Sequence, residues 1–566
     1  MYNLREISEC LELHEIVKSS GKSNVSGLRI PLQTQWNIPF LREKLVGYED
    51  EEVAEFIEFG WPINLQGEES FKQKRGKVRN WKGATEFPEF MEGYIRREVS
   101  EGTLLGGFNE NPFSSQALCH PLNSTEKDGG KDRRTILDCS YPPGDALNER
   151  IPKDSYQGKA MTLTYPGIDD LVEIIKRKGR GCALMKVDLR RAYKQIFVDP
   201  GDWNLLGCYW AGKYFFDRTM PMGLRSAAMC CQRITNAFKF IVEKEGFDLV
   251  PYLDDMASAE VWSLAEKCYG TIRDTVKGSG AEESTGKNVP PTVTMTFLGI
   301  LANSLTLTLE VPEERLCEIR ELLEEWLQKT HITRKMVESM VGKLNFVAIC
   351  VRPGRLFIAR MLEFMRDLPQ TGQYEVTDDF RKDLLWWRKF LPRYNGVSMM
   401  ALEEWSAPDQ IFATDACLTG YGCWYPERNE FIHNTFPSIV LEQQLSINAL
   451  EMLTIMIGCK VWGRFWRGKR IVVHCDNETS VLCLNKGRAW DSFLLACLRE
   501  IEMLAATHEF ELRGNWIAGV ENRIPDALSR WDTDPKYERE FYSLVSGLSV
   551  SETFAYEGLF NFDHEW

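Results

Sequence analysis

The sequence predicts an α+β multidomain protein, on three observations. Between residues 91 and 310, short apolar runs alternate with Gly- and Pro-containing turns such as YPPGDALN (141–148) and GKYFFDRTMPMGL (212–224), as in a sheet-rich unit. From 313 to 395, apolar residues recur every three or four positions in PEERLCEIRELLEEWLQK, ITRKMVESMVGKLNFVAICV and DDFRKDLLWWRKFL, which is helix periodicity. From about 409, strand-like runs return and alternate with helix patterns.

Each element follows from local pattern. Residues 1–90 lean helical, with a Pro-containing break at WPINLQG (61–67). The run Leu184-Met185-Lys186-Val187-Asp188 reads as a strand ending in an acid, and the following LRRAY as a helix start. Leu249-Val250-Pro251-Tyr252-Leu253 reads as a short buried strand. Downstream, QIFATDA, GYGCWY and EFIHNTF suggest an antiparallel meander. The helix INALEMLTIMIGCKVW follows, with Ile447, Leu450, Leu453, Ile457 and Val461 as its core stripe and Glu451 at the margin. Next come the strand RIVVHCD, the helix SFLLACLREIEMLAATH, the strand EFELRGNW and a last helix near 523–531.

Composition sets limits. A chain of 566 residues holds several domains at about 100–200 residues each. Hydrophobic content of 44% and aromatic content of 11% indicate a globular chain. Sixteen Cys without a CxxC pair argue for reduced thiols inside a cell, not for a disulfide frame or zinc site. Adjacent Cys230 and Cys231 read as small buried residues. No signal peptide or membrane span is apparent, so the expected setting is cytoplasmic or nuclear, away from membranes. The net charge of −14 does not exclude nucleic acid, because phosphate affinity depends on local patches. Three basic runs are candidates: KQKRGKVRNWK (72–82), KRKGR (176–180) and RFWRGKR (464–470). Each could equally be a solvated surface.

The chemistry rests on acids at strand ends. Asp254 and Asp255 close the run Tyr252-Leu253-Asp254-Asp255, and Asp188 ends another strand. Nucleotidyl transfer uses two metal ions about 3.5–4 Å apart, which clamp the attacking hydroxyl and the triphosphate. Asp188 and Asp254, from different strands, are the minimum scaffold for that clamp; Asp255 would be a supporting ligand.

With its neighbours this set resembles a reverse transcriptase. KVDLRRAYKQI resembles the first carboxylate motif of that family, PMGLRSAA (221–228) the loop beneath the templating pair, and YLDD its metal-binding hairpin. Gly286-Lys287 matches the following lysine motif and FLGI (297–300) the primer grip. The resemblance implies that Lys127, Arg134, Tyr193, Met222, Gly223 and Lys287 bind the incoming dNTP. Lys127 and Arg134 would hold its triphosphate, and Tyr193 would exclude a ribose 2′-hydroxyl. Met222 departs from the Gln or Phe usual in relatives. The implied fold is a right-hand polymerase with fingers, palm and thumb.

A second acid set follows: Asp415 in FATDA, Glu451, Asp476 after IVVHC, and Asp526 in NRIPDALSR. Their order resembles an RNase H-like α/β domain, in which four carboxylates hold two metals. Retroviral relatives carry a His six residues before the position of Asn522, where this chain has Trp516. Indole cannot relay a proton, so hydrolysis could be slow. His508 is the nearest candidate substitute.

NPFSSQALCHPLN, RRTILDCSYPPGDALN, VRPGRLFIARML and INALEML narrow the resemblance to DIRS-like, tyrosine-recombinase retrotransposons, over roughly residues 30–531. The implied organisation is an N-terminal extension (1–90), fingers and palm (91–310), thumb and connection helices (311–404), an RNase H-like domain (405–532) and an acidic-aromatic tail (533–566). That tail is either a linker into a recombinase part or a private extension. The implied activity is RNA- and DNA-templated DNA synthesis with cleavage of RNA in RNA/DNA hybrids, using two Mg²⁺ or Mn²⁺ ions per site. The implied partners are template-primer, hybrid, dNTPs and a recombinase or capsid-type protein of the same element. Two other readings stand: a domesticated relative that binds nucleic acid, or an active polymerase with a structural RNase H module.

Overall fold

The structure, a computed structural model, describes residues 4–20, 30–67, 71, 77–127, 132–161, 163–392, 396–398, 408–489, 491–556 and 558–563. Its contacts divide the chain into two compact units. One comprises Met1–Leu298 with Ser304–Thr306; the other comprises Gly299–Asn303 with Leu307–Trp566.

The first unit is built on a four-stranded antiparallel sheet, in the order Val289–Thr292, Ala183–Asp188, Asp255–Glu260, Val250–Tyr252. Helices Ile168–Lys178, Arg225–Lys244 and Trp262–Gly278 pack on it. The 183–188 strand is almost wholly buried, which explains its unbroken apolar run. A second sheet pairs Leu104–Phe108, Lys213–Asp217 and Gly207–Trp210, and a separate hairpin joins Leu122–Lys127 to Asp132–Leu137. Segment 30–67 shares the unit's hydrophobic core through Trp36, Leu41, Ile57 and Trp61. A buried fork reinforces this: Arg233 Nε and Nη2 donate to both Asp50 oxygens at 2.7 Å.

One local expectation fails. LRRAY does not start an α-helix, because Arg191 takes a left-handed conformation (φ 48°) and leads into a short 3-10 turn, Ala192–Gln195. The local chain is held by an ion pair between Arg191 and the fully buried Glu98.

The second unit contains the expected helices, Glu313–Leu327, Arg334–Val347, Ala359–Asp367 and Asp378–Phe390, after the paired strands Ile300–Asn303 and Thr308–Glu310. A six-stranded mixed sheet follows, in the order 511–516, 470–475, 410–416, 420–425, 430–435, 551–552. Strands 410–416, 420–425 and 430–435 form the antiparallel meander; 470–475 and 511–516 add in parallel. Helix Ile447–Trp462 lies between this sheet and helix Ser492–His508. It is therefore buried almost all round, from Ala449 through Cys459, and the stripe expected from sequence is not its organising feature. Ile447, assigned to that stripe, is 40% exposed at the helix start.

The described residues after 532 belong to this fold. Helix Pro535–Leu544 sends Phe541 into a cluster with Trp424, Phe431, Leu528 and Val545, and Ser551–Glu552 pairs with strand 430–435 as the sixth strand. All 16 Cys are free, with Cys230 and Cys231 buried. Among the described residues, no helix is long and apolar enough to cross a membrane.

Candidate active sites

In the first unit, Leu253 and Asp254 form the turn between strands 250–252 and 255–260. Tyr252 and Asp255 are the closing pair, and Leu253 takes φ 53°. Buried Gln232 fixes this turn: its Nε2 donates to Pro251 O, and its Oε1 accepts from Leu253 N, both at 2.8 Å. Asp255 lies directly opposite Asp188 across the sheet, and Asp254 O accepts from Leu189 N at 2.9 Å. Three carboxylates thus converge on one edge.

Two lysines face them. Lys287 Nζ is 3.5 Å from Asp188 Oδ1, and Lys186 Nζ is 3.0 Å from Asp255 Oδ1. Burial pushes the Asp188 carboxyl up to about 6; Lys287 opposes this, while Asp254 and Asp255 add to it. Asp254 is also raised, by burial first and then by Asp255, against Lys287 and Arg134. Asp188 Oδ1 is buried without a hydrogen bond. All-oxygen donors with an unsatisfied buried carboxylate oxygen fit a hard divalent cation such as Mg²⁺.

A cleft of about 490 Å³ opens over these acids, lined by Asp188, Asp254, Lys127, Arg134, Tyr193, Met222 and Lys287. The two hairpin arginines both line this cleft but, by strand alternation, differ in surroundings. Arg133 donates to Ser124 and stacks 3.5 Å from the Phe87 ring centroid, whereas Arg134 is exposed and electrostatically felt by Asp254. Tyr193 follows from the 3-10 turn, and burial raises its phenol, so it stays neutral. Gly223 acts through its backbone. It has φ 113°, its carbonyl accepts from Asn148 Nδ2, and a Cβ there would lie 2.0 Å from Leu137 O. Met222 O accepts from Leu137 N at 2.8 Å, which ties this loop to the hairpin.

Sequence reasoning missed Lys186, Gln232 and Asn148. Lys186 carried a signal: a cation inside an apolar strand, two residues from an acid, lies on the same face as that acid. The other two carried none, since their role depends on a turn and a loop distant in sequence.

In the second unit, Asp415 lies near the end of strand 410–416 and Asp476 follows strand 470–475. These strands are adjacent and parallel, so their acids meet. Glu451 is held between them: Oε1 accepts from Ala416 N at 3.1 Å, and Cys475 Sγ–H points to Oε2 at 3.7 Å. Ser529 Oγ donates to Asp415 Oδ2. Glu451, Cys475 and Asp476 place donor atoms within 4.8 Å of one another. Burial is the first cause of the raised carboxyls here. It carries Asp415 up to about 7, with Asp476 and Asp526 adding and Ser529 opposing. Glu451 is raised well above its usual range by burial and then Asp415, and Asp476 by burial and then Asp526.

A cavity of about 700 Å³ is lined by Asp415, Glu451, Asp476, Arg530, Thr533 and Tyr537. Asp526, expected as the fourth acid, lies near enough to raise both Asp415 and Asp476, and it pairs with Arg530 at 2.8 Å. Trp516 stands at the rim, 52% exposed, and its Nε1–H donates to Asp476 O at 2.9 Å. His508 lies away from this cavity. It ends the helix that leads into strand 511–516, beside Gly463, whereas Trp516 and Asp476 lie at the far end of the sheet. A six-residue strand, about 20 Å long, separates them.

Two of the basic runs are engaged within the chain. Arg177 pairs with Asp248, Lys178 with Glu260, Arg467 with Glu509 and Arg470 with Asp409. Trp466, within the last run, is fully buried. In the first run, residues 72–76 lie outside the described residues, and Lys77, Arg79 and Lys82 are exposed.

Neither a family model nor a curated protein matches this chain. Among solved structures, the chain is similar to a foamy viral protease-reverse transcriptase dRH in complex with double-stranded DNA. That similarity has 13% identity and a TM-score of 0.49, covering 88% of this chain and 84% of the other. It is also similar to a foamy viral protease-reverse transcriptase in complex with RNA/DNA hybrid, at 14% identity and a TM-score of 0.45, covering 87% and 64%.

Proposed function

We propose that this chain is a reverse transcriptase with RNase H activity, of the DIRS-like retrotransposon type that its motifs resemble. What carries the reading is the convergence of Asp188 and Asp254 on a cleft that also presents Lys127, Arg134, Tyr193 and Lys287. In this reading the first unit holds fingers and palm, and helices 313–390 act as thumb and connection. Arg134 and Lys127 bind the triphosphate of the incoming dNTP, Arg through its planar fork and Lys as a point charge. Tyr193 closes the sugar pocket against a 2′-hydroxyl, and Gly223 lets the loop approach closely. Asp188 and Asp254, with Asp255 in support, would hold two Mg²⁺ or Mn²⁺ ions, which supply charge stabilisation for in-line displacement when bound.

In the second unit, Asp415, Glu451 and Asp476, with Asp526 nearby, would hold the ions for RNA hydrolysis. Cavity acids and Ser529 fix the geometry; no histidine lines the cavity among the described residues. That absence, with the Trp516 N–H committed to the main chain, favours as second reading an active polymerase with a weakly hydrolytic module.

Primer extension on RNA and DNA templates, with Mg²⁺ or Mn²⁺, tests the first activity. Wild type should extend both, and Asp254→Asn should extend neither; equal extension by the two refutes the assignment. Cleavage of a labelled RNA/DNA hybrid that vanishes in Glu451→Gln supports the second activity, while an inert wild type supports the structural module.

A further inference from the structure

The acid cavity of the second unit has a wall that the acid motifs do not supply. Arg530 follows Asp526 by one helical turn, and Thr533 and Tyr537 come from the segment after the expected end of the domain at 532. Among the described residues lining this cavity, Arg530 is the only basic one. It is contacted from two sides. Its Nε lies 2.8 Å from Asp526 Oδ1, and Tyr537, at the start of helix Pro535–Leu544, sets its ring centroid 5.9 Å from the guanidinium carbon. That helix is anchored by Phe541 in the cluster with Trp424 and Leu528, so Tyr537 is delivered by a packed element.

The guanidinium is thus drawn toward Asp526 and Tyr537 while nearly half of the side chain stays exposed at the cavity. A planar cation beside Asp415 and Asp476, in a cavity of about 700 Å³, suits an anionic phosphodiester: the cation meets its charge directly, and the acids would meet it only through the divalent ions they hold. We propose that Arg530, oriented by Asp526 and Tyr537, binds a backbone phosphate of the nucleic acid at this site, and that residues 533–537 are part of the site. The proposal rests on the hydrolase reading above. In it, Arg530 touches substrate, while Asp526 and Tyr537 are positioning residues. Substrate charge is thus met by a cation that arises downstream of the last acid.

The test uses the full chain in a Glu451→Gln background, binding a fluorescent RNA/DNA hybrid across a salt series. Arg530→Gln should weaken binding by about tenfold and make the slope of log K against log salt shallower by about one, the signature of one lost phosphate contact. Arg530→Lys should restore the slope while recovering affinity only in part. Tyr537→Phe should weaken binding by about threefold with the slope intact, because the charge remains. An Arg530→Gln slope and affinity equal to the parent's overturns the proposal. Lower cleavage by Arg530→Gln in the otherwise wild-type chain, with slope unchanged, overturns it too, since that is what a mere buttress of Asp526 would do. Failure of the hydrolase reading shows separately, as a wild-type chain that leaves the hybrid uncut or as undiminished cleavage by Glu451→Gln.

Discussion

Lys186 Nζ lies 3.0 Å from Asp255 Oδ1, so the second acid of the 252–255 turn is held by a cation absent from the cleft wall. Both side chains are mostly buried, at 14% and 23% exposure. Lys287, by contrast, is 54% exposed beside Asp188, on the cleft. Three acids therefore share two lysines of different character: one enclosed counter-ion and one that an incoming ligand can displace.

Removing the enclosed partner leaves a largely buried carboxylate without its cation. Lys186→Met should lower unfolding stability by about 1–3 kcal/mol, less than for a fully buried pair because both groups keep some solvent. Lys186→Arg should stay within about 1 kcal/mol of wild type. Urea unfolding midpoints check this; equal midpoints for Lys186→Met and wild type contradict it.

Asp188 and Asp415 titrate upward, to about 6 and about 7, from an ordinary value of 3.8. Across that window the metal-free folded state binds more protons than the unfolded chain, so these groups cost stability as pH rises from about 4 to 7. Divalent cations need the ionised acids, so their stabilising effect should grow through the same window. Thermal midpoints between pH 4.5 and 8, with and without Mg²⁺, should diverge at the alkaline end. Asp415→Asn should flatten the metal-free curve. A Mg²⁺ effect independent of pH would contradict the assignment.

Trp516 offers no titrating group at the rim of the second unit's acid cavity. Trp516→His restores one while keeping an N–H able to reach Asp476 O. Hybrid cleavage should rise several-fold and gain a pH limb near 6–7. A variant no faster than Trp516→Ala, with an unchanged pH profile, would show that a proton carrier is not what limits this site.

Gly223 occupies a left-handed conformation against Leu137 O. Gly223→Ala should displace the loop, raise the KM for dNTP at least tenfold and cost about 1–3 kcal/mol of stability. Unaltered dNTP kinetics would remove this loop from the nucleotide site.

Much of this was legible because the informative residues are local. Asp188, Asp254, Asp415 and Asp476 sit at the ends of apolar strands whose pattern marks them, and helices 447–462 and 492–508 match their sequence runs residue for residue. What was not legible depends on distance in the chain. Arg191 turns left-handed where its pair with Glu98 holds it, so LRRAY does not become a helix. Ile447 looked like core because periodicity cannot distinguish a one-sided stripe from a helix buried all round. Tyr537 and strand 551–552 looked like tail because their partners, Arg530 and strand 430–435, lie in other elements. The ion pairs of KRKGR and RFWRGKR were hidden for the same reason: their acids, Asp248, Glu260, Glu509 and Asp409, are remote in sequence.

The central claim is two independent carboxylate centres, one making DNA and one cutting RNA. It is tested most directly by single-nucleotide extension and hybrid cleavage on the same four preparations: wild type, Asp188→Asn, Asp254→Asn and Glu451→Gln. The expected result is a double dissociation, with both Asp variants losing extension but retaining cleavage and Glu451→Gln losing cleavage but retaining extension. Extension that survives Asp188→Asn and Asp254→Asn would contradict the account at its root.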